Sequence, residues 1–364
     1  MQPLIALLGR RDTPTDGLED YCTFLGEALS RRGVELQKVR VDCAGRGWTR
    51  ALFQLWREAG KWRGQWVLLQ FTSLAWSRRG FPFAAVAALL IVRSRGARAG
   101  VVYHESLGFE GRRLIDRVRR ACQLWVLRGL YNVAERPVFA DPLGTIPWLP
   151  SHSAKAVSIP IGGNLPVPPP RTESLGSRNG APKVLAIYCV SEPPYRALEL
   201  EDISRSVAPL IGNGLKIRIV FLGRGTSESK ADIENAFREI PVEVLNLGIR
   251  RAEEVSQILG DADAMLCVRG RLFPRRGSAL AGITCGLPIV AYAGAAEGTP
   301  LAEAGVELVP YRDVAALSRS LGSVLTDPDH WRDLHLRSVE AHEKYFSWDA
   351  IADQFVTALG MRGT

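Results

Sequence analysis

Two hydrophobic patterns alternate along the chain. Short apolar runs at residues 3–8, 66–71, 184–190, 264–268 and 287–292 carry almost no polar interruption, as strands buried on both faces do. Between such runs lie segments whose apolar residues recur at helical spacing. In 18–32, Leu18, Tyr21, Phe24, Leu25, Ala28 and Leu29 share one helical face. Gly33 closes that segment and 34–41 resumes as a strand. Strand, glycine-containing loop, helix and strand predict a doubly wound α/β sheet. The alternation breaks once, where Ile161-Gly162-Gly163-Asn164 runs into a proline-rich stretch and then Gly, Ser and Asn up to 182. Two Rossmann-like domains follow from this break: 1–165, a linker at 166–182, and 183–345, with a last helix in 346–364. A length of 364 residues suits two domains.

Candidate chemistry concentrates in 262–298. The apolar run 264–268 is followed by Arg269, Arg271, Arg275 and Arg276, then by Gly277-Ser278 and a helix of small residues that stops at Gly286. A second apolar run, 287–292, completes a βαβ unit. The basic turn thus falls at the carboxyl end of a strand, where open α/β sheets bind ligands. The N–H groups at the helix start and the helix dipole favour an anion there. With guanidinium groups alongside, the turn reads as a phosphate or diphosphate receptor. The competing reading is a turn whose arginines are only solvated.

The order Arg-Arg-Gly-Ser, small-residue helix, Cys-Gly-Leu-Pro-Ile-Val-Ala resembles the donor-site segment of GT-B glycosyltransferases, in particular retaining family 4. That family usually carries two glutamates here, and the alignable positions hold Phe273 and Ala281. The chain resembles a branch in which an Arg-Arg-Gly-Ser turn replaces the first part of that motif. The resemblance implies an α/β fold of the GT-B plan, with two doubly wound domains facing a cleft and a C-terminal helix, around 348–359, crossing back to the first domain. It also implies a nucleotide-sugar donor, no metal and no other cofactor. Asp16 and Gly17, in the first loop, would approach the donor phosphates; a tight turn without a ligand is the alternative. His104, just past the 100–103 strand, would touch the transferred sugar, and the alternative is a structural hydrogen-bonding histidine. The family's diphosphate-binding Arg and Lys positions hold Cys189 and Pro194, so Arg196 is the nearest substitute. Gly223, Arg224 and Gly225 after the 216–222 strand add a weak glycine-rich signal.

Composition adds a net charge of +8, with 46 % hydrophobic and 23 % charged residues, which suits a globular protein with an anionic partner. Part of the charge sits on the predicted helix 110–133, where Arg112, Arg113, Arg117, Arg120 and further arginines accompany Leu114, Ile115, Val118, Leu124, Trp125, Leu127 and Leu130. Such a helix either packs its apolar residues on the sheet or rests on an anionic membrane. The six cysteines are widely spaced and mostly within apolar runs, as in a reduced cytosolic protein. The N-terminal apolar segment is short for a signal peptide, and no run approaches the ~20 residues of a membrane span.

The leading expectation is transfer of a sugar from a nucleotide diphosphate to an acceptor hydroxyl, in cell-surface polysaccharide or glycoconjugate synthesis. Arg275 and Arg276 would stabilise the leaving diphosphate, with Arg269, Gly277 and Ser278 beside it. Family membership implies retention; an inverting enzyme needs a base, for which Glu105 and Asp16 stand available. A lipid-linked acceptor at the inner face of the cell membrane fits the basic helix. The alternative is an inactive GT-B protein that binds nucleotide sugars or a partner glycosyltransferase. Nucleic acid is disfavoured, because the arginines form no single stripe and no stacking platform is recognisable.

Overall fold

The computed structural model describes residues 2–12, 16–41, 43, 47–111, 113–169, 180–294 and 299–361. The chain divides into two compact units, Met1–Ile161 with Trp348–Thr364, and Gly162–Ser347.

In the first unit, β1 (Gln2–Leu8), α1 (Gly17–Ser30), β2 (Val34–Arg40), α2 (Trp48–Ala59), β3 (Trp66–Phe71), α3 (Phe83–Ser94), β4 (Arg98–Tyr103), α4 (Leu114–Val133), β5 (Arg136–Phe139) and β6 (Val157–Ser158) follow in order. Their sheet is parallel throughout, in the order β2-β1-β3-β4-β5-β6. Every residue of β3 is buried, which accounts for its unbroken apolar run. The chain turns from β2 on one side of β1 to β3 on the other, so the switch point lies beyond the carboxyl ends of β1 and β3. Helix Trp348–Leu359 belongs to this unit and buries Ile351, Ala352, Phe355 and Leu359 in the cluster that contains Leu25 and Leu29 of α1. Trp66 Nε1 donates to the carbonyl of Leu359 at 2.9 Å, and Arg32 donates to Asp349 at 2.7 Å and to Asp353 at 2.8 Å.

Helix α2 was not anticipated from the sequence. It buries only Ala51, Leu55 and Ala59, and its most conspicuous apolar residues, Phe53 and Trp56, are exposed. Helix α4 starts at Leu114, later than expected, and buries Gln123, Val126, Leu127 and Leu130. The expected packing of its apolar residues holds for Leu127 and Leu130, which join the core of this unit with Val126, and fails for others: Leu114 is 77 % exposed, Ile115 50 %, Val118 47 % and Trp125 57 %. The reason is geometric. Successive helical residues turn by about 100°, so Leu114, Val118 and Trp125 lie together on the side of the helix opposite Gln123, Leu127 and Leu130.

The second unit repeats the plan with β7 (Lys183–Tyr188), α5 (Tyr195–Gly212), β8 (Ile217–Leu222), α6 (Lys230–Phe237), β9 (Glu243–Gly248), α7 (Ala252–Asp261), β10 (Ala264–Cys267), α8 (Gly277–Thr284), β11 (Ile289–Tyr292), β12 (Val306–Val309), α9 (Val314–Thr326) and α10 (Pro328–Ala341). This sheet is also parallel, in the order β12-β11-β10-β7-β8-β9. Its strand β7 is flanked by β8 and β10, so the switch point falls between β7 and β10, at the foot of the arginine turn. Most of the expected linker, from 170 to 179, lies outside the described residues.

Candidate functional site

The arginine turn of the second unit is held from below. Gly270 leaves β10 with a φ of +70°, and the buried Leu272 donates its N–H to the Tyr292 carbonyl at 2.8 Å, pinning the turn to the end of β11. Gly294 lies so close that a Cβ there would meet the Leu272 carbonyl at 1.9 Å. Residues 273–276 then rise into α8. Arg276 occupies its N-cap, and no side chain caps the helix, so the N–H groups of the first turn face outward without a side-chain acceptor.

Phe273, where the related motif has a glutamate, carries the guanidinium of Arg276 at 4.3 Å from its ring centre and that of Arg275 at 5.8 Å. The Nε atoms of Arg269 and Arg276 are buried without a hydrogen-bond partner among the described residues. Burial, reinforced by repulsion from Arg269 and Arg275, holds the Arg276 guanidinium below its ordinary pKa. Crowded like charges with unused donors are what a phosphate group would relieve. Ser278 is buried, its Oγ 3.7 Å from Cys267 Sγ, whereas Gly277 is exposed with open space where a side chain would stand. Arg271 turns away, donating to the Ala293 carbonyl at 3.1 Å and lying over Tyr311.

Neighbouring strand ends contribute unequally. Gly223 has a φ of +93° and packs so closely that a Cβ would meet Tyr188 at 2.8 Å and Cys189 at 2.9 Å. The Arg224 carbonyl accepts the N–H of Val190 at 2.9 Å, joining the loops after β7 and β8. The positive charges of Arg269 and Arg224 both act on the Cys189 thiol, although burial still raises its pKa. Arg196 does not join this group: it donates to the Ser191 carbonyl at 3.1 Å and pairs with Asp232 at 2.9 Å. A residue unforeseen from the sequence does join it. Glu199, on α5, is 4 % exposed and accepts the Ser191 N–H at 2.8 Å, and it exchanges electrostatic influence with Arg269 and Arg276. The available signal was a carboxylate on the buried helix face, in step with Ile203 and Val207.

In the first unit, His104 follows β4 and is buried, its Nε2 2.8 Å from Oε1 of Gln70 and its ring edge-on to Tyr21 at 4.7 Å. Glu105 accepts the Ser73 N–H at 3.0 Å. Asp16 caps α1 by accepting from the N–H groups of Leu18 and Glu19, and it pairs with Arg40 at 3.0 Å. Its carboxylate therefore has a local structural task, while Gly17 opens the helix with free space around its Cα. On α4, Arg117 is exposed, as are Arg113 and Arg120. Arg120 lies 3.2 Å from Glu110, and Arg112 lies outside the described residues.

No protein-family model and no curated protein sequence matches this chain. Solved structures do. Sucrose-phosphate synthase from Thermosynechococcus elongatus is similar at a TM-score of 0.66 and 18 % identity, over 99 % of this chain and 98 % of that one. Anabaena HepE in complex with UDP and glucose is similar at 0.65 and 12 % identity, over 99 % and 100 %. MurG of Acinetobacter baumannii is similar at 0.55 and 11 % identity, over 98 % and 100 %. At such identities the likeness speaks for architecture. With both sheets and the whole length accounted for, the chain has the GT-B fold, the fold of these glycosyltransferases.

Proposed function

We propose that the protein is a glycosyltransferase that moves a sugar from a nucleotide diphosphate to an acceptor hydroxyl. The observation that supports this most is the half-buried, mutually repelling arginine group at a helix start that its N-cap side chain leaves uncapped, beside the switch point of the second sheet. Arg269, Arg275 and Arg276, with the N–H groups near Gly277 and Ser278, bind the diphosphate and stabilise the charge that grows as the sugar leaves. The neighbours bound to UDP, and to UDP and glucose, make UDP the first donor base to test. Neither a metal nor a cofactor takes part in this reading.

His104 binds a hydroxyl of the transferred sugar, and its bond to Gln70 sets the ring's orientation. Transfer proceeds with retention, as the resemblance to family 4 implies. The exposed face of α4, with Leu114, Ile115 and Val118 beside Arg113 and Arg117, docks on anionic lipid at the cytoplasmic face of the membrane, where a lipid-linked acceptor for polysaccharide synthesis would be found.

Titration calorimetry with UDP-, GDP-, ADP- and dTDP-sugars, paired with a product assay, tests the reading. One nucleotide sugar binding and yielding product supports it. Binding without product under any acceptor favours instead an inactive nucleotide-sugar binder, a reading to which the loss of both glutamates at Phe273 and Ala281 lends weight.

A further inference from the structure

Glu199 is an unusual presence in a site for anions. Its side chain is almost wholly enclosed, one oxygen accepts the Ser191 N–H at 2.8 Å, and the other oxygen, Oε1, is buried with no hydrogen-bond partner among the described residues. It springs from α5, just after β7; Arg269 and Arg276 follow β10, the strand beside β7. Their Nε atoms are likewise buried and unpartnered. No direct ion pair joins Glu199 to either arginine, yet the charges of Arg269 and Arg276 act on the Glu199 carboxyl and that of Glu199 acts on Arg276. A buried charge without a counter-charge costs several kcal/mol. A carboxylate near the guanidinium groups lowers that cost for the empty site, because its charge favours the charged form of Arg276 while Arg269 and Arg275 oppose it.

We propose that Glu199 is the built-in counter-anion of the donor-phosphate site: it offsets the repulsion among Arg269, Arg275 and Arg276 while the site is empty, and it competes with the diphosphate once the site is full. The inference rests on the phosphate reading of the arginine turn and deepens it. Glu199 touches no substrate; it is a positioning residue that acts through the arginines. Its chemical consequence is on release. A site with only positive charge would hold a nucleoside diphosphate product tightly, whereas a fixed negative charge nearby weakens product and donor alike. Burial raises the Glu199 carboxyl above its ordinary pKa, and the Ser191 N–H and the two arginines oppose this.

The test is calorimetric titration of the wild-type protein, Glu199→Gln and Glu199→Asp with UDP and with inorganic pyrophosphate, each at low and high salt. Glu199→Gln keeps the shape and an oxygen for the Ser191 N–H but removes the charge. It is expected to bind both probes about three- to tenfold tighter, with slower release of UDP and a steeper loss of affinity with salt. Glu199→Asp withdraws the charge by one methylene and is expected to tighten binding by a smaller factor, so it carries the test if the glutamine variant does not fold. A residue of purely structural importance would lower the melting temperature and leave both affinities where they were. Unchanged or weaker binding in the variants overturns the inference while leaving the phosphate site standing. A wild-type protein that binds neither UDP nor pyrophosphate overturns the phosphate site and this inference with it.

Discussion

The Nε2 nitrogen of His104 stands 2.8 Å from the Oε1 oxygen of Gln70, with both side chains buried at the carboxyl end of the first sheet. An amide oxygen only accepts, so the histidine donates from Nε2. Replacing Gln70 with Leu removes that acceptor and loosens the ring's orientation; turnover is expected to fall about ten- to a hundredfold, with the donor KM little changed. Replacing it with Glu puts a carboxylate beside the ring and raises the histidine pKa. Any limb of the pH–rate profile that belongs to His104 then moves to higher pH. Steady-state kinetics of both variants across pH checks this.

The helix Trp348–Leu359 is held to the first unit mainly by apolar burial. Phe355 is completely enclosed, and its replacement by Ala is expected to cost about 3–5 kcal/mol. Arg32→Ala removes the bonds to Asp349 and Asp353, whose carboxylates are more than half exposed, and is expected to cost under about 1 kcal/mol. Denaturant melts of the two variants should therefore separate widely.

Gly223 tests the backbone of the donor site. Its φ of +93° and the close approach of Tyr188 and Cys189 leave no room for a side chain. Gly223→Ala is expected to destabilise the protein by about 1–3 kcal/mol. Gly277→Ala, where the space is open, is expected to be tolerated in stability. Paired thermal melts decide it.

The exposed apolar residues of α4 predict membrane behaviour. Flotation with vesicles containing anionic lipid should carry the protein, and neutral vesicles should carry far less. Arg113→Glu with Arg117→Glu is expected to lower partitioning about tenfold or more, since each basic residue near a charged surface contributes about 1 kcal/mol. Leu114→Gln with Ile115→Gln should weaken it without changing the preference for anionic lipid. Equal flotation on both vesicle types, unmoved by these changes, contradicts the docking.

Much of the fold could be read directly because parallel strands buried on both faces leave unbroken apolar runs, as in Leu4–Leu8 and Trp66–Phe71. Helix α2 escaped notice because small residues make its buried stripe and its large ones face outward. The arginine turn was visible as a cluster of charge between a strand and a small-residue helix. Periodicity could not distinguish among its arginines: Arg271 leans on Tyr311, and the more distant Arg196 is taken by Asp232. Nor did it single out Glu199, whose significance comes from strand order, which places β10 beside β7 although 75 residues of chain separate Tyr188 from Ala264.

The central claim is that the guanidinium groups after β10 grip a diphosphate. Calorimetric titration of UDP into the wild-type protein and into Arg269→Ala with Arg276→Ala measures it most directly. The account predicts saturable binding to the wild type and a loss of about a hundredfold or more in the variant. UDP binding equally well to both proteins would contradict it.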